Sequence, residues 1–271
     1  MKPLIQSLQN PRIKELVRLR ESRTRRRSGK ILIDGVRETL AAVRAGVEIE
    51  EVFFAEGKED SSIGSIPGDL SPGLPSERLQ PVTDQVFERI CYGDRDSGLV
   101  AVARPPSTDL ARLNGSHKSL VIVLDQAEKP GNVGAVLRTA SAAGVDAVIL
   151  CDATCEVFNP NAIRASLGTI FSVPLASGSF DETVAWLQSR KMQLFRACVD
   201  GAVCLWDCNF TGSAAIIFGS EAHGLGPRWR DIEGSALKIP MVGAADSLNL
   251  SISAAVVMYE AVRQQSLVKG S

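Results

Sequence analysis

"SLVIVLDQAEKPGNVGAVLRTASAAGVDAVILCD", residues 119–152, carries the decision about fold. "SLVIVLDQ" is a short, continuous apolar run rich in Val and Ile, which suits a strand buried on both faces. "NVGAVLRTASAAG" reads as a helix and "VDAVILCD" as a second buried strand. A strand, a helix and a strand of this kind predict an α/β fold with a parallel sheet covered on both sides. The alternation continues with the helix "FDETVAWLQSRK" and the strands "MQLFRACV", "SAAIIFGS" and "LKIPMV". The last helix, "SLNLSISAAVVMYEAVRQQ" (247–265), is nearly unbroken in apolar residues from Ile252 to Met258. One subunit does not cover such a helix all round, so the pattern predicts a homodimer.

Upstream of residue 104 the elements are shorter. "NPRIKELVRLRESRTRR" reads as one helix, with Asn10 as its cap and Pro11 at its first position. A strand "ILID", a helix "GVRETLAAVRAG" closed by Gly46, and a strand "IEEVFFA" follow. Residues 57–75 have the Gly, Ser and Pro content of a long loop, "TDQVFERICYG" reads as a helix, and "GLVAVARPP" as a strand. The expected organisation is a small α/β domain over 1–103, a linker over 104–118, and a larger parallel-sheet domain over 119–271.

The 271 residues are 45% hydrophobic and 23% charged, the composition of a soluble globular protein. No apolar run approaches the roughly 20 residues of a membrane span, and no apolar signal segment opens the chain. A cytoplasmic location is the expectation. The net charge of −1 conceals an asymmetry. Residues 1–30 hold ten Lys and Arg against Glu15 and Glu21, a net of +8, which leaves −9 for the remainder. A basic arm containing Arg23, Arg25, Arg26 and Arg27 predicts a polyanionic partner, because neutralised phosphates release counterions. Six cysteines with no C-x-x-C pair support neither a zinc site nor a disulfide framework, and they are expected to be reduced thiols.

Three loops follow predicted strands, where open α/β sheets bind ligands. In "DQAEKPGNVGAVLR", Asn132 is placed to cap a helix, and Arg138 follows Gly134 by one turn, with room left beside it for a phosphate. In "FGSEAHGLG", Glu221 can orient a ligand, and His223 can serve as a base or simply cap the loop. In "IPMVGAADSLNLSISAA", Ser247 or Asn249 can cap the last helix. Taken singly, each is an ordinary turn.

Together, N-x-G-x-x-x-R (132–138), G-S-E-x-x-G-L (219–225) and I-P-M…S-L-N-L-S (239–251) resemble the three signature motifs of the SpoU/TrmH family of RNA ribose 2′-O-methyltransferases. "RASLG" (164–168) is similar to a fourth segment of that family. Residues 1–103 resemble its ribosomal-protein-like RNA-binding domain. The resemblance implies a deep trefoil knot in the C-terminal domain, S-adenosyl-L-methionine as cofactor, no metal, and RNA as substrate, with large-subunit 23S ribosomal RNA favoured. Transfer RNA, or a non-catalytic knotted dimer that binds RNA, are the alternatives. It implies that Arg138, Asn132, Glu221 and Asn249 serve catalysis, with Arg138 gripping a phosphate and steadying the developing alkoxide. Gly219, Ile239 and Leu248 would hold the cofactor through their backbone, with Ser247 completing its pocket. Arg164 joins the four arginines of the arm as an RNA contact.

Overall fold

The computed structural model of the chain describes residues 2–56, 74–91, 98–113 and 119–269, which pack as two units. The first runs to residue 106 and also takes in residues 158–172. The second comprises 107–157 and everything from 173 onward. Most of the expected loop at 57–75, the "YG" that ends the expected helix "TDQVFERICYG", and residues 114–118 of the expected linker lie outside the described residues. Among the described residues no helix is long and apolar enough to cross a membrane.

The first unit begins with α1 (Pro11–Arg18), where the Asn10 side chain accepts from the Arg12 backbone N–H at 2.9 Å. α2 (Ser22–Ser28), β1 (Ile31–Asp34), α3 (Val36–Arg44), β2 (Ile49–Ala55), β3 (Leu79–Val82), α4 (Asp84–Ile90) and β4 (Leu99–Ala103) follow. The sheet order is β1-β4-β2-β3, with β4 antiparallel to both neighbours and β2 parallel to β3. β3 is an addition to the sequence reading. Its Pro81 is tolerated because β3 is an edge strand, where one row of N–H groups needs no partner. Ile13, Leu16, Leu32, Phe53, Val86 and Val100 form the core.

The helix expected over residues 10–26 is two helices. The apolar stripe of α1 ends at Leu19, and the residues beyond it are polar, so no buried face carries the helix onward. The break is stapled from α2. Arg25 is 2% exposed, and its Nη1 donates to the carbonyl oxygens of Leu19 and Arg20, each at 2.7 Å. Arg25 therefore closes the end of α1 and is withdrawn as an RNA contact. Arg25→Ala is expected to cost about 2–4 kcal/mol, the scale of losing charge-assisted hydrogen bonds at a buried site. Exposed Arg23→Ala should stay within about 0.5 kcal/mol. Urea unfolding of the two variants checks the contrast.

The second unit holds β5 (Leu120–Asp125), α5 (Pro130–Ala143) and β6 (Ala147–Cys151). α6 (Pro160–Ala165), next in the chain, packs on β1 in the first unit. β7 (Leu175–Gly178), α7 (Phe180–Ser189), β8 (Gln193–Ala197), β9 (Val203–Cys204), β10 (Ala214–Phe218), β11 (Ser235–Lys238) and α8 (Leu250–Lys269) complete the second unit. Seven strands, all parallel, are ordered β7-β6-β5-β10-β8-β11-β9. β5, β6 and β10 are buried at every position, as their continuous apolar runs require. β7 and β9 are too short to stand out in the sequence. The expected strand "LKIPMV" stops at Lys238, two residues before Pro240, which has no N–H to give a ladder.

The chain moves outward from β5 through β6 to β7, then returns to build the other half of the sheet beside β5. At such a reversal, open parallel sheets bind ligands beyond the carboxyl ends of their strands. α8 packs on α5, burying Ala254, Val257, Met258 and Ala261 completely. Ile252 and Tyr259, on the rest of its surface, are each 52% exposed. All six cysteines are free thiols.

Candidate active site

A pocket of about 610 Å³ opens at the carboxyl ends of β8, β10 and β11 and at the start of α8. Its tightest element is the loop that leaves β10. A Cβ on Gly219 would lie 2.0 Å from the Gly224 carbonyl carbon and 2.2 Å from the Leu225 nitrogen, so the position accepts only glycine. The loop closes on itself. Ser220 N–H donates to Gly224 O at 3.1 Å, Gly224 N–H donates back to Ser220 O at 2.9 Å, and His223 N–H donates to Ser220 Oγ at 3.1 Å. Gly224 has φ +64°, the left-handed region that lets so short a loop turn back.

This turn holds Glu221 out toward α5. Asn132 Nδ2 donates to Glu221 Oε1 at 2.7 Å, and the Glu128 N–H donates to Oε2 at 3.4 Å. On its other side Asn132 Oδ1 accepts from Asn249 Nδ2 at 3.2 Å. Asn249 caps α8, since its Oδ1 accepts from the Ser251 N–H at 2.9 Å and the Ser251 hydroxyl at 2.7 Å. One hydrogen-bonded chain, Asn249–Asn132–Glu221, thus joins the cap of α8, the first turn of α5 and the β10 loop, up to 117 residues apart in sequence. Asn132 does not cap α5. The helix starts at Pro130 with Lys129 in the cap position, and the Asn132 amide is taken by the two other loops.

Gly219, Ile239, Ser247 and Leu248 all line the pocket, as do Glu221 and Asn249. Arg138 does not. It is exposed, six residues beyond Asn132 and so about a third of a turn round the helix, and has no hydrogen-bond or ion-pair partner among the described residues. Gly134 is buried, so it leaves no open surface beside Arg138.

The sequence reading did not include Lys129, Cys198, Val199 and Met241 in the lining. Cys198 and Val199 follow β8, which becomes β10's neighbour only once the sheet order is known. Burial, with Asp200 adding to it, pushes the Cys198 thiol up, which leaves it protonated and a poor nucleophile at neutral pH. His223 lines the pocket from an exposed position in the β10 loop. Among the described residues no group of three or more His, Cys, Asp or Glu is placed to hold a metal ion.

In the first unit the basic arm divides into two sets. Lys2 and Arg12 pair with Glu51, Lys30 pairs with Glu50, Arg20 donates to the Arg89 and Cys91 carbonyls, and Arg25 is buried. Lys14, Arg18, Arg23, Arg26 and Arg27 remain exposed. Arg164, on α6, is half-buried. Burial pushes the Glu38 carboxyl up, and Arg164 is one of the charges that pull the other way.

The chain matches the SpoU rRNA Methylase family over residues 119–259 and the MRM3-like substrate binding domain over residues 10–101. It is 29% identical over 263 residues to the 23S rRNA (uridine(2479)-2′-O)-methyltransferase of Streptomyces viridochromogenes, covering 94% of this chain and 91% of that protein. It is 30% identical over 244 residues to the 23S rRNA (guanosine-2′-O-)-methyltransferase RlmB of Escherichia coli K12, covering 87% of this chain and 99% of the relative. Among solved structures, the SpoU methyltransferase AviRb from Streptomyces viridochromogenes in complex with AdoMet superposes with a TM-score of 0.85 at 27% identity. That match covers 95% of this chain and 99% of AviRb.

Proposed function

Because the chain belongs to the SpoU rRNA methylase family, we propose that it methylates a ribose 2′-hydroxyl of 23S ribosomal RNA, with S-adenosyl-L-methionine as the methyl donor. The observation that carries the reading is the Asn249–Asn132–Glu221 chain at the edge of a pocket lined by Gly219, Ile239 and Leu248. The pocket fits the donor in size, at about 610 Å³ within the roughly 300–1,000 Å³ of small-molecule sites. It also fits in character, since Phe218, Leu237 and Ile239 give it apolar walls and Ser247 and Asn249 supply polar groups. When bound, S-adenosyl-L-methionine supplies an electrophilic methyl group on a sulfonium.

The protein's part is positioning and electrostatics. Gly219, Ile239 and Leu248 offer backbone groups to the donor, and Ser247 closes the pocket beside them. Asn132, fixed on both sides, orients the ribose. Arg138 grips the adjacent phosphate and lowers the energy of the alkoxide forming at the 2′-oxygen. A guanidinium stays protonated, so the hydroxyl proton passes to that phosphate or to water and not to Arg138.

Arg138 stands off the pocket of its own subunit, and α8 keeps Ile252 and Tyr259 exposed. Both features support a homodimer in which Arg138 serves the partner's pocket. The trefoil knot belongs to the same reading, with the contact of α8 on α5 and the Asn249–Asn132 bond in its support. Residues 1–103 would bind the RNA, 104–118 would link, and 119–271 would carry the transfer. The site of action would be the cytoplasm.

The test is incubation with methyl-labelled S-adenosyl-L-methionine and separated 23S, 16S and transfer RNA. Label confined to 23S RNA is expected, and label confined to transfer RNA would overturn the assignment of substrate. The arm gives a second measurement. Neutralising Arg23, Arg26 and Arg27 together should make the slope of log affinity against log salt shallower by up to about 2–3. Filter binding across a salt series reads this, with donor binding unchanged. An unaltered slope would move RNA recognition to Arg164 and the rest of the first unit.

A further inference from the structure

The loops that carry Asn132 and Glu221 are tied together twice. At their tips the tie is the Asn132–Glu221 hydrogen bond. At the sheet it is Arg228, which lies just past the end of the β10 loop in a short 3-10 turn, Pro227–Trp229. Its Nη2 meets Asp125 Oδ1 at 2.5 Å and its Nη1 meets Asp152 Oδ2 at 2.5 Å. Asp125 is the last residue of β5, and Asp152 directly follows β6.

Three observations make this tie a stiff one. Asp125 is 1% exposed, so water does not compete with the guanidinium for its Oδ1. The Arg228 Cζ lies 4.5 Å from the centroid of the Phe180 ring, and Phe180 meets Trp229 edge-on at 4.9 Å. Trp229 is fully buried and anchors the turn. Asp125 stands seven residues before Asn132, and Arg228 stands seven residues after Glu221. The two ties therefore close a circuit in which each chain arm spans seven residues and one corner, Glu221, lines the pocket.

From this circuit we propose that Arg228 is a positioning residue, which fixes the separation of the Asn132 and Glu221 loops and thereby the geometry of methyl transfer. The inference rests on the proposed methyl-transfer activity. A planar fork can bridge carboxylates from two adjacent strands, whereas a lysine ammonium offers a single point of charge. Arg228→Lys is expected to lower the single-turnover rate by about 10- to 100-fold, the cost of a displacement near 1 Å, while donor affinity changes less than about threefold.

A merely structural role would lower stability and rate whatever the state of the tip. The test is therefore a double-mutant cycle with Glu221→Gln. If Arg228 acts through the Asn132–Glu221 tie, Arg228→Lys should cost less than about threefold once that tie is already weakened. Equal losses in both backgrounds would overturn the proposal. Should Arg228→Lys fail to fold, Asp152→Asn removes the more exposed carboxylate and leaves the buried pair. The same cycle applies to it, with non-additive losses supporting the proposal and additive losses overturning it. An inactive wild-type protein would sink the proposed function, while an active one with an additive cycle would sink only the role of Arg228.

Discussion

Arg138→Ala is expected to reduce methyl transfer by about 100- to 1,000-fold, the usual cost of removing one preorganised group that stabilises developing negative charge. Folding and donor binding should hardly change, because the side chain is exposed, partnerless among the described residues and outside the pocket lining. Arg138→Lys should restore little, since an ammonium does not present two parallel N–H groups to a phosphate. Single-turnover rates together with calorimetric donor binding check the separation of the two effects. Near-normal turnover in Arg138→Ala would remove the residue from the mechanism.

Gly219→Ala should strike the opposite half of the process. Its Cβ would sit 2.0 Å from the Gly224 carbonyl carbon, which is backbone and cannot swing aside. The loop would have to open, breaking the Ser220–Gly224 pair and shifting Glu221 away from Asn132. Donor affinity is expected to fall by at least about 100-fold, close to 3 kcal/mol. The β10 strand should survive, because the clash lies beyond its last residue, Phe218. Calorimetric titration with S-adenosyl-L-methionine measures the loss, and unchanged affinity would relocate the donor site.

The two variants also test each other. If Arg138 serves the partner's pocket, a mixed dimer of Arg138→Ala and Gly219→Ala subunits contains one intact site. Random re-association should then recover about a quarter of wild-type activity from two inactive proteins. No recovery, with mixed dimers verified, would place Arg138 at the pocket of its own subunit.

Much of the fold was readable because local rules and burial agree. The apolar runs at 120–124, 147–150 and 214–218 have no other use than a sheet covered on both faces, and Asn10 with Pro11 marks a helix start unambiguously. Where the reading failed, long-range contacts had overridden a sound local signal. Asn132 looks like a cap in sequence, yet Glu221 and Asn249, distant in the chain, take its amide. Arg25 looks like its neighbours in "RTRRRS", but the break after Leu19 turns it inward, where it closes α1. The lining from Cys198 and Val199 and the Arg228 tie needed the strand order, which no local pattern contains. Residues 158–172 pack with the first unit, although they sit within the span matched to the methylase family.

The proposed reaction places the methyl group on a ribose oxygen. Alkaline hydrolysis of 23S RNA labelled by this protein tests it most directly, because strand cleavage needs a free 2′-hydroxyl next to the scissile phosphate. Methylation at that oxygen protects one linkage, so the label is expected to emerge in an alkali-stable dinucleotide. Label emerging in mononucleotides would place the methyl on a base and overturn ribose methylation.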